Sequence, residues 1–414
     1  MADIADETTA QQVAGVDPET LQGIKHLKSV YPLLQRLAGS GTQRDVAGNR
    51  LLTFSFYAGL ILLRLFNPTL KSLHSLSEAS GLRKVQQALG GGPKASMGSL
   101  SESVRVFEPQ LLETIFQELL AKFPAHTPHQ SNSGFIPLEL VRKLTAVDGS
   151  ALRALPQIVG AVGSSRGEKW RLHLQFKVLS EIPGHAALTP DETGGQDDER
   201  SVLARNLTAD LLYLLDRGYE RYSLLNDIVA HQSDYICRAQ LRNVPVLETR
   251  ELSAAAREAR VIADEIVQLK GVAHPVRRVV IQRSGQGRRR TDKTNSDTIV
   301  LLTNLLDVPA EVIAALYELR WSIELFFKFF KHVLGCKTLL SHKSNGVQIQ
   351  VYCALIAALL MSLATGNSVN RRVFECICLY FQGWAEEDEL LACIQRETAK
   401  MQKQKEKQDQ SKRA

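Results

Sequence analysis

Residues 316–331 read LYELRWSIELFFKFFK, and the way this stretch folds decides how the rest of the chain is read. As one α-helix turning about 100° per residue, it places Tyr317, Arg320, Glu324 and Lys331 within a sector of roughly 60°. Leu316, Leu319, Ile323, Phe326, Phe327 and Phe330 fall in a neighbouring sector about 100° wide, the width of a core-facing stripe. One side docks the helix and the other presents four polar groups. Asp307 is placed to cap the N-terminus, with Pro309 and Glu311 in the first turn. Taken alone, the polar face also matches a solvated helical ion pair between Arg320 and Glu324, worth about 0.2–0.5 kcal/mol.

Upstream, two carboxylates sit at the ends of strand-like runs. LTAVDGSAL (144–152) delivers Asp148 into a Gly-Ser turn, an exposed corner where glycine lets the backbone come close. Asp-Gly is equally a common turn dipeptide. DLLYLLDRGY (210–219) is a near-continuous apolar run ending in Asp216, the pattern of a strand buried on both faces. Asp210 at the start of that run and Asp227 within the helical RYSLLNDIVAH (221–231) are competitors that do not share its position. Between the two runs, WRLHLQFKVL (170–179) alternates as a half-buried strand, PGHAALTP (183–190) is a further strand, DETGGQDDER (191–200) is an acidic loop and SVLARNL (201–207) is a short helix. DYICRAQL (234–241) is a fifth strand.

Roughly a hundred residues separate Asp216 from Glu324, far more than one α/β connection needs, so a β-rich insertion is expected. ARVIADEIVQL (259–269) and VRRVVIQR (276–283) are strand-like and precede a Gly- and Arg-rich loop at 284–297. Its cluster of Arg288, Arg289, Arg290 and Lys293 is an electrostatic candidate for holding DNA phosphates. DTIVLLTNLL (297–306) is then a strand leading into the helix at 316–331.

Both ends of the chain read as helical. Residues 1–18 are small, polar and acidic, the composition of a disordered start. From 19 to about 123 apolar residues recur at helical spacing, with Gly90, Gly91, Gly92 and Pro93 breaking two helices and Ser99 with Glu102 forming a capping box for a helix over 99–120. With Arg83, Lys84, Lys94 and Arg105 nearby, this fits a DNA-reading helical module and equally an ordinary solvent-facing turn. Residues 124–134 are linker-like. Past the signature stretch, 351–364 and 370–384 are apolar helices, and 396–414 is a polar tail.

The 414 residues are 44% hydrophobic with a formal charge of +6, enough to bury several cores and mildly favourable to a polyanionic partner. The six cysteines, at 237, 336, 353, 376, 378 and 393, lie mostly in apolar helical runs without zinc-finger spacing, and read as buried thiols of a reducing compartment. The apolar stretches 51–63 and 352–364 are short for a bilayer crossing. The acidic amino terminus carries no signal-peptide pattern. A cytoplasmic protein is expected.

The spacing YxxRxxxExxxxxxK, met by Tyr317, Arg320, Glu324 and Lys331, resembles the signature helix of the IS4 family of insertion-sequence transposases. The DRGY at Asp216 resembles that family's second-aspartate motif. The resemblance implies a catalytic, metal-binding triad of Asp148, Asp216 and Glu324 on an RNase H-like mixed sheet, with Tyr317, Arg320 and Lys331 gripping the transposon end. It also implies a helical end-binding domain ahead of the core and dimer contacts in the carboxy-terminal region. The expected layout is a helical DNA-binding domain at 19–134, core at 135–242 and 298–345, a β-rich insertion at 243–297, and helices at 346–395. Three carboxylates with oxygen-only donors suit Mg²⁺ or Mn²⁺, two ions being expected. The implied activity is a DNA transposase that binds terminal inverted repeats on double-stranded DNA, cuts the strands and joins 3′ ends to target DNA as a synaptic homodimer. Two alternatives remain: a metal-dependent nuclease on the same fold, and a catalytically silent DNA-binding protein derived from a transposase.

Overall fold

The computed structural model describes residues 34–37, 51–67, 69–122, 136–154, 169–190, 197–240, 243–283, 298–365 and 371–413. The expected disordered start, the linker at 124–134 and the arginine-rich loop with Arg288, Arg289, Arg290 and Lys293 lie outside the described residues. The chain divides into two compact units, one of Met1–Pro124, Arg153–Glu168 and Phe329–Ala414, the other of Ala125–Leu152 and Lys169–Lys328.

The second unit is a mixed α/β body around one large sheet. Its strands are β1 (Leu144–Ala154), β2 (Lys169–Lys177), β3 (Ile182–Pro190), β4 (Leu212–Leu215), β5 (Asp234–Ala239), β6 (Val246–Thr249), β7 (Val261–Val267), β8 (Val276–Gln282) and β9 (Thr298–Thr303). Their order across the sheet is β3-β2-β1-β4-β5-β9-β8-β7-β6. β4 pairs in parallel with both β1 and β5, and all four of its residues are buried, as a central parallel strand covered on both faces requires. The strands after residue 243 form no separate sheet. β9 pairs antiparallel with β5 on one side and β8 on the other, so β8, β7 and β6 extend the same surface.

One expectation about β2 fails informatively. Its alternation suggested a solvent-facing side, yet His173 and Gln175 are buried. His173 Nε2 pairs with Thr189 Oγ1 at 2.8 Å and Gln175 Nε2 donates to the Asn206 carbonyl at 2.8 Å. The helix Glu199–Arg205 brings Val202 and Leu203 against these side chains, so the polar positions face protein instead of water, with His173 Nδ1 left without a hydrogen bond.

The signature stretch is also not one helix. Ala310–Glu318 and Trp321–His332 are separate helices, joined at Leu319 and Arg320 by tightened bonds from Leu319 N to Leu316 O (3.1 Å), Arg320 N to Tyr317 O (3.1 Å) and Ile323 N to Arg320 O (3.3 Å). Such i→i+3 bonding is a 3₁₀-like joint. Neither Gly nor Pro sits there, which is why periodicity gave no sign of it. Pro309, without a side-chain cap bond, occupies the N-cap position assigned to Asp307. The apolar stripe is buried as expected at Leu316, Ile323, Phe327 and Phe330, and Phe326 packs on Phe176 of β2 with ring centroids 5.2 Å apart.

The first unit is built largely of helices. Thr53 caps the buried helix Phe54–Phe66, accepting from Phe56 N at 3.3 Å, and Phe54 stacks on Phe107 at 4.7 Å. The helix expected over 99–120 is two: Ser96 caps Met97–Ser103, and Pro109, which has no N–H to donate, starts Gln110–Ala121. Within Ser344–Thr365, the 19 residues Ser344–Ser362 are long and apolar enough to cross a membrane by composition, but 78% of that stretch is buried inside the protein, as in a core helix. Cys376 and Cys393 form a disulfide between the helices Arg371–Phe381 and Glu387–Arg413, so the expectation of six free thiols holds only for the buried Cys237, Cys336, Cys353 and Cys378. Pairing of those two helices brings the cysteines within bonding reach, a tertiary fact that sequence spacing does not carry.

Candidate active site

Parallel register sets the site. Val147 of β1 pairs with Leu215 of β4, and Leu215 pairs in turn with Cys237 of β5. Asp148, Asp216 and Arg238 are the next residues on three adjacent strands, so they form a row with a spacing of about 4.8 Å between strands. The apolar run of β4 ends at Asp216, which leaves the strand, whereas Asp148 lies inside β1, which continues through Gly149 and Ser150 to Ala154 instead of turning there as the Asp-Gly pair suggested. Asp148 Oδ1 accepts the Gly149 N–H at 2.8 Å. Asp216 leads directly into a 3₁₀ turn, with Tyr219 N donating to its carbonyl at 2.9 Å.

Arg320 acts on this row as a buried cation. It is 9% exposed and pairs with Glu324 at 2.5 Å, while its guanidinium stands 5.8 Å from the Tyr317 ring centroid. It also acts electrostatically on Asp148 and Asp216. All three predicted carboxylates therefore share one buried cation. Burial pushes the Asp148 carboxyl up to about 6, and the neighbouring Glu199 and Asp216 charges add to the effect against the opposing Gly149 bond and Arg320. Asp216 Oδ1 and the Tyr317 hydroxyl are buried without hydrogen bonds. A polar oxygen left so inside a protein needs a partner.

The donor set fits a hard divalent cation in part. Asp148 and Asp216 offer adjacent oxygen donors, one held against its charge by burial and the other with an unsatisfied oxygen, and a bound cation would relieve both. Glu324 is engaged by Arg320. Among the described residues no three His, Cys, Asp or Glu side chains come together closely enough to hold an ion. Two of the predicted carboxylates, Asp148 and Asp216, stand on adjacent strands, and the third, Glu324, is paired with Arg320.

The competitors fall elsewhere. Asp210 lies at the opposite end of β4 and pairs with Lys143, and Asp227 is exposed on the helix Tyr222–Ala230. Lys331 is half-buried in the last turn of Trp321–His332 and belongs to the first unit. Of the basic residues noted near the glycine turn, Lys94 pairs with Glu78 at 2.8 Å and Arg105 with Glu102 at 3.0 Å.

Two residues at the site were not anticipated. Arg238 Nη1 lies 3.5 Å from Asp216 Oδ1. The Glu199 carboxylate, paired with Arg171, lies over both glycines of the row: a Cβ on Gly149 would meet Glu199 Oε1 at 2.4 Å, and one on Gly218 would meet Oε2 at 3.5 Å. The signal for Arg238 was its place just after the apolar core of a strand, as for the two aspartates. It became readable only once β4 and β5 were known to pair in parallel.

The y4zB protein of Sinorhizobium fredii, named as a transposase, is 29% identical over 209 residues, 49% of this chain and 54% of its own length. A protein named as the transposase of insertion sequence element IS5377 of Geobacillus stearothermophilus is 25% identical over 195 residues, 46% of this chain and 48% of its own. The transposase for IS421 of Escherichia coli is 24% identical over 254 residues, 53% and 65% respectively. The chain thus spans about half the length of the first two relatives. A cryo-EM structure of the piggyBac transposase synaptic complex with hairpin DNA superposes with a TM-score of 0.46 at 8% identity, covering 91% of this chain and 83% of that one. Residues 140–360, just over half of the 414 and including Asp148, Asp216 and Glu324, match the family described as the transposase DDE domain, and the chain belongs to that family.

Proposed function

We propose that this protein is a DNA transposase of the IS4 type on an RNase H-like core. It would bind the inverted repeats at the ends of a mobile element, cut the DNA strands and join the freed 3′ ends to target DNA. The observation that carries the reading is the sharing of Arg320 by Asp148, Asp216 and Glu324 within a single compact unit.

Asp148, Asp216 and Glu324 would hold Mg²⁺ or Mn²⁺, two ions in the full complex, which when bound polarise the phosphoryl oxygens and the attacking hydroxyl. The protein's own groups supply position and charge. Asp148 and Asp216 are fixed by parallel register, so their oxygens arrive pre-aligned instead of being ordered by the substrate. Arg320, paired with Glu324 in the free protein, would present a planar fork to the phosphate oxygens flanking the scissile bond. The Tyr317 hydroxyl, buried and without a hydrogen bond, donates to a further phosphate oxygen. Lys331, about two helical turns beyond Glu324, adds a point charge toward the DNA backbone, and Arg288, Arg289, Arg290 and Lys293 extend that grip from the insertion. Synapsis of two ends calls for two copies of the chain, acting on DNA in the bacterial cytoplasm.

The test is incubation of the purified protein with duplexes copied from the DNA on either side of its gene, with and without Mg²⁺. Mg²⁺-dependent nicking at the element edge, followed by covalent joining to a target plasmid, is expected. Cleavage without joining would replace the proposal with a nuclease. Salt-sensitive binding without nicking would leave a silent DNA-binding protein.

A further inference from the structure

The row of residues across β1, β4 and β5 ends in a cation that no catalytic assignment uses. Arg238 follows Cys237 as Asp216 follows Leu215, and its side chain is 31% exposed. Its pairing with Asp216 is loose: the ions are 3.5 Å apart, yet Asp216 Oδ1 makes no hydrogen bond. The Tyr317 hydroxyl, buried and likewise without a hydrogen bond, is under the electrostatic influence of Arg320, Asp216 and Arg238. Two guanidinium groups, Arg238 and Arg320, thus flank one carboxylate and one phenol, both with unmet hydrogen-bonding capacity. Two cations beside a hydroxyl donor match the chemistry of a phosphodiester, which accepts from forked N–H groups and from hydroxyls on separate oxygens.

We propose that Arg238 is a phosphate-binding residue for DNA, working with Arg320. In the free protein its guanidinium serves as the counter-charge of Asp216. On binding DNA, Arg238 would exchange this carboxylate for a backbone phosphate, with Asp216 left to serve as a donor to a divalent cation. The idea rests on the transposase reading for the identity of the DNA, but the Arg238 contact itself is read by binding and not by turnover.

Asp216→Asn both stops turnover and removes Arg238's counter-charge, so it is the background for the test. Binding of a labelled duplex copied from the gene's flank is measured in Mg²⁺ across salt, for Asp216→Asn alone and combined with Arg238→Ala or Arg238→Lys. Arg238→Ala is expected to weaken binding about tenfold and to reduce the slope of log affinity against log salt by about one. Arg238→Lys, which keeps the charge, should restore the slope but not the full affinity, since the fork is lost. Equal slopes for the parent and Arg238→Ala, with melting temperatures matched, would overturn the assignment and leave Arg238 as a counter-ion alone. A wild-type protein that never nicks DNA would sink the transposase reading instead, and the slope comparison would still decide Arg238.

Discussion

Two aspartate–arginine pairs stand in the same sheet and differ in almost every respect. Asp264 on β7 and Arg277 on β8 are 6% and 3% exposed at the side chain and joined by two bonds of 2.7 Å. Arg277 also donates to the carbonyls of Leu305 at 3.2 Å, Leu306 at 3.1 Å and Val308, so each buried charge is satisfied and the loop before Ala310–Glu318 is tied down. Asp216 and Arg238 are six- to tenfold more exposed, 3.5 Å apart, and leave Asp216 Oδ1 without a hydrogen bond. A saturated pair holds the fold together. An unsaturated one leaves hydrogen-bonding capacity open. The same residue types thus do structural work in one place and, on the reading proposed above, bind ligands in the other, and burial with completed hydrogen bonds is what separates them.

The contrast breaks most sharply if substitutions at the open pair behave like those at the closed one. Asp148→Asn, Asp216→Asn or Glu324→Gln is each expected to lower DNA cleavage by more than the roughly 10- to 100-fold typical of groups that only orient a ligand, with melting temperature changed little. Cleavage assays beside thermal melts check this, and retained cleavage would remove the carboxylate from the site. At the closed pair the pattern inverts. Arg277→Met leaves Asp264 buried and unpaired, and urea unfolding is expected to show about 3–5 kcal/mol of lost stability. A native-like midpoint would mean the pair is not the fixture described.

Arg320→Lys comes next in size. It keeps the charge between the carboxylates but replaces a fork with a point, and about a tenfold loss of cleavage with near-normal stability is expected in single-turnover assays. The smallest effect concerns pH. In the metal-free protein burial raises Asp148 to about 6, above the ordinary value of about 3.9. Between those values the folded chain holds a proton that the unfolded chain has lost, so Asp148's contribution favours folding at low pH and declines as pH rises toward 6. Melts in EDTA across that window should show a shallower pH dependence for Asp148→Asn than for the wild type, by a few degrees at most. Parallel curves would contradict the buried placement of Asp148.

Much of the core was legible because the relevant signals are local. An apolar run ending in Asp-Arg-Gly marks a buried strand delivering a carboxylate to its open end, and β4 behaves so, whereas Asp148 and Gly149 lie within β1 and mark no strand end. The apolar stripe through Leu316, Ile323, Phe327 and Phe330 marked the face of the signature segment that docks. What was illegible depends on partners distant in the chain. His173 and Gln175 read as solvent-facing until a helix some thirty residues away covered them. The joint at Leu319 and Arg320 carries no Gly or Pro, so no residue type marks it in the sequence. Arg238 and Glu199 enter the site through strand register and helix placement, which no single segment encodes. The strands after 243 looked like an inserted body because their pattern changes, whereas β9 continues the sheet by pairing on both edges.

Everything proposed for catalysis turns on Asp148 and Asp216 binding the same cation. Titration of Mn²⁺ into the protein, followed by the loss of its free electron-spin resonance signal, reads this without DNA or turnover. Binding to the wild type that weakens at least about tenfold in both Asp148→Asn and Asp216→Asn is expected. Unchanged Mn²⁺ affinity in those two variants would contradict it.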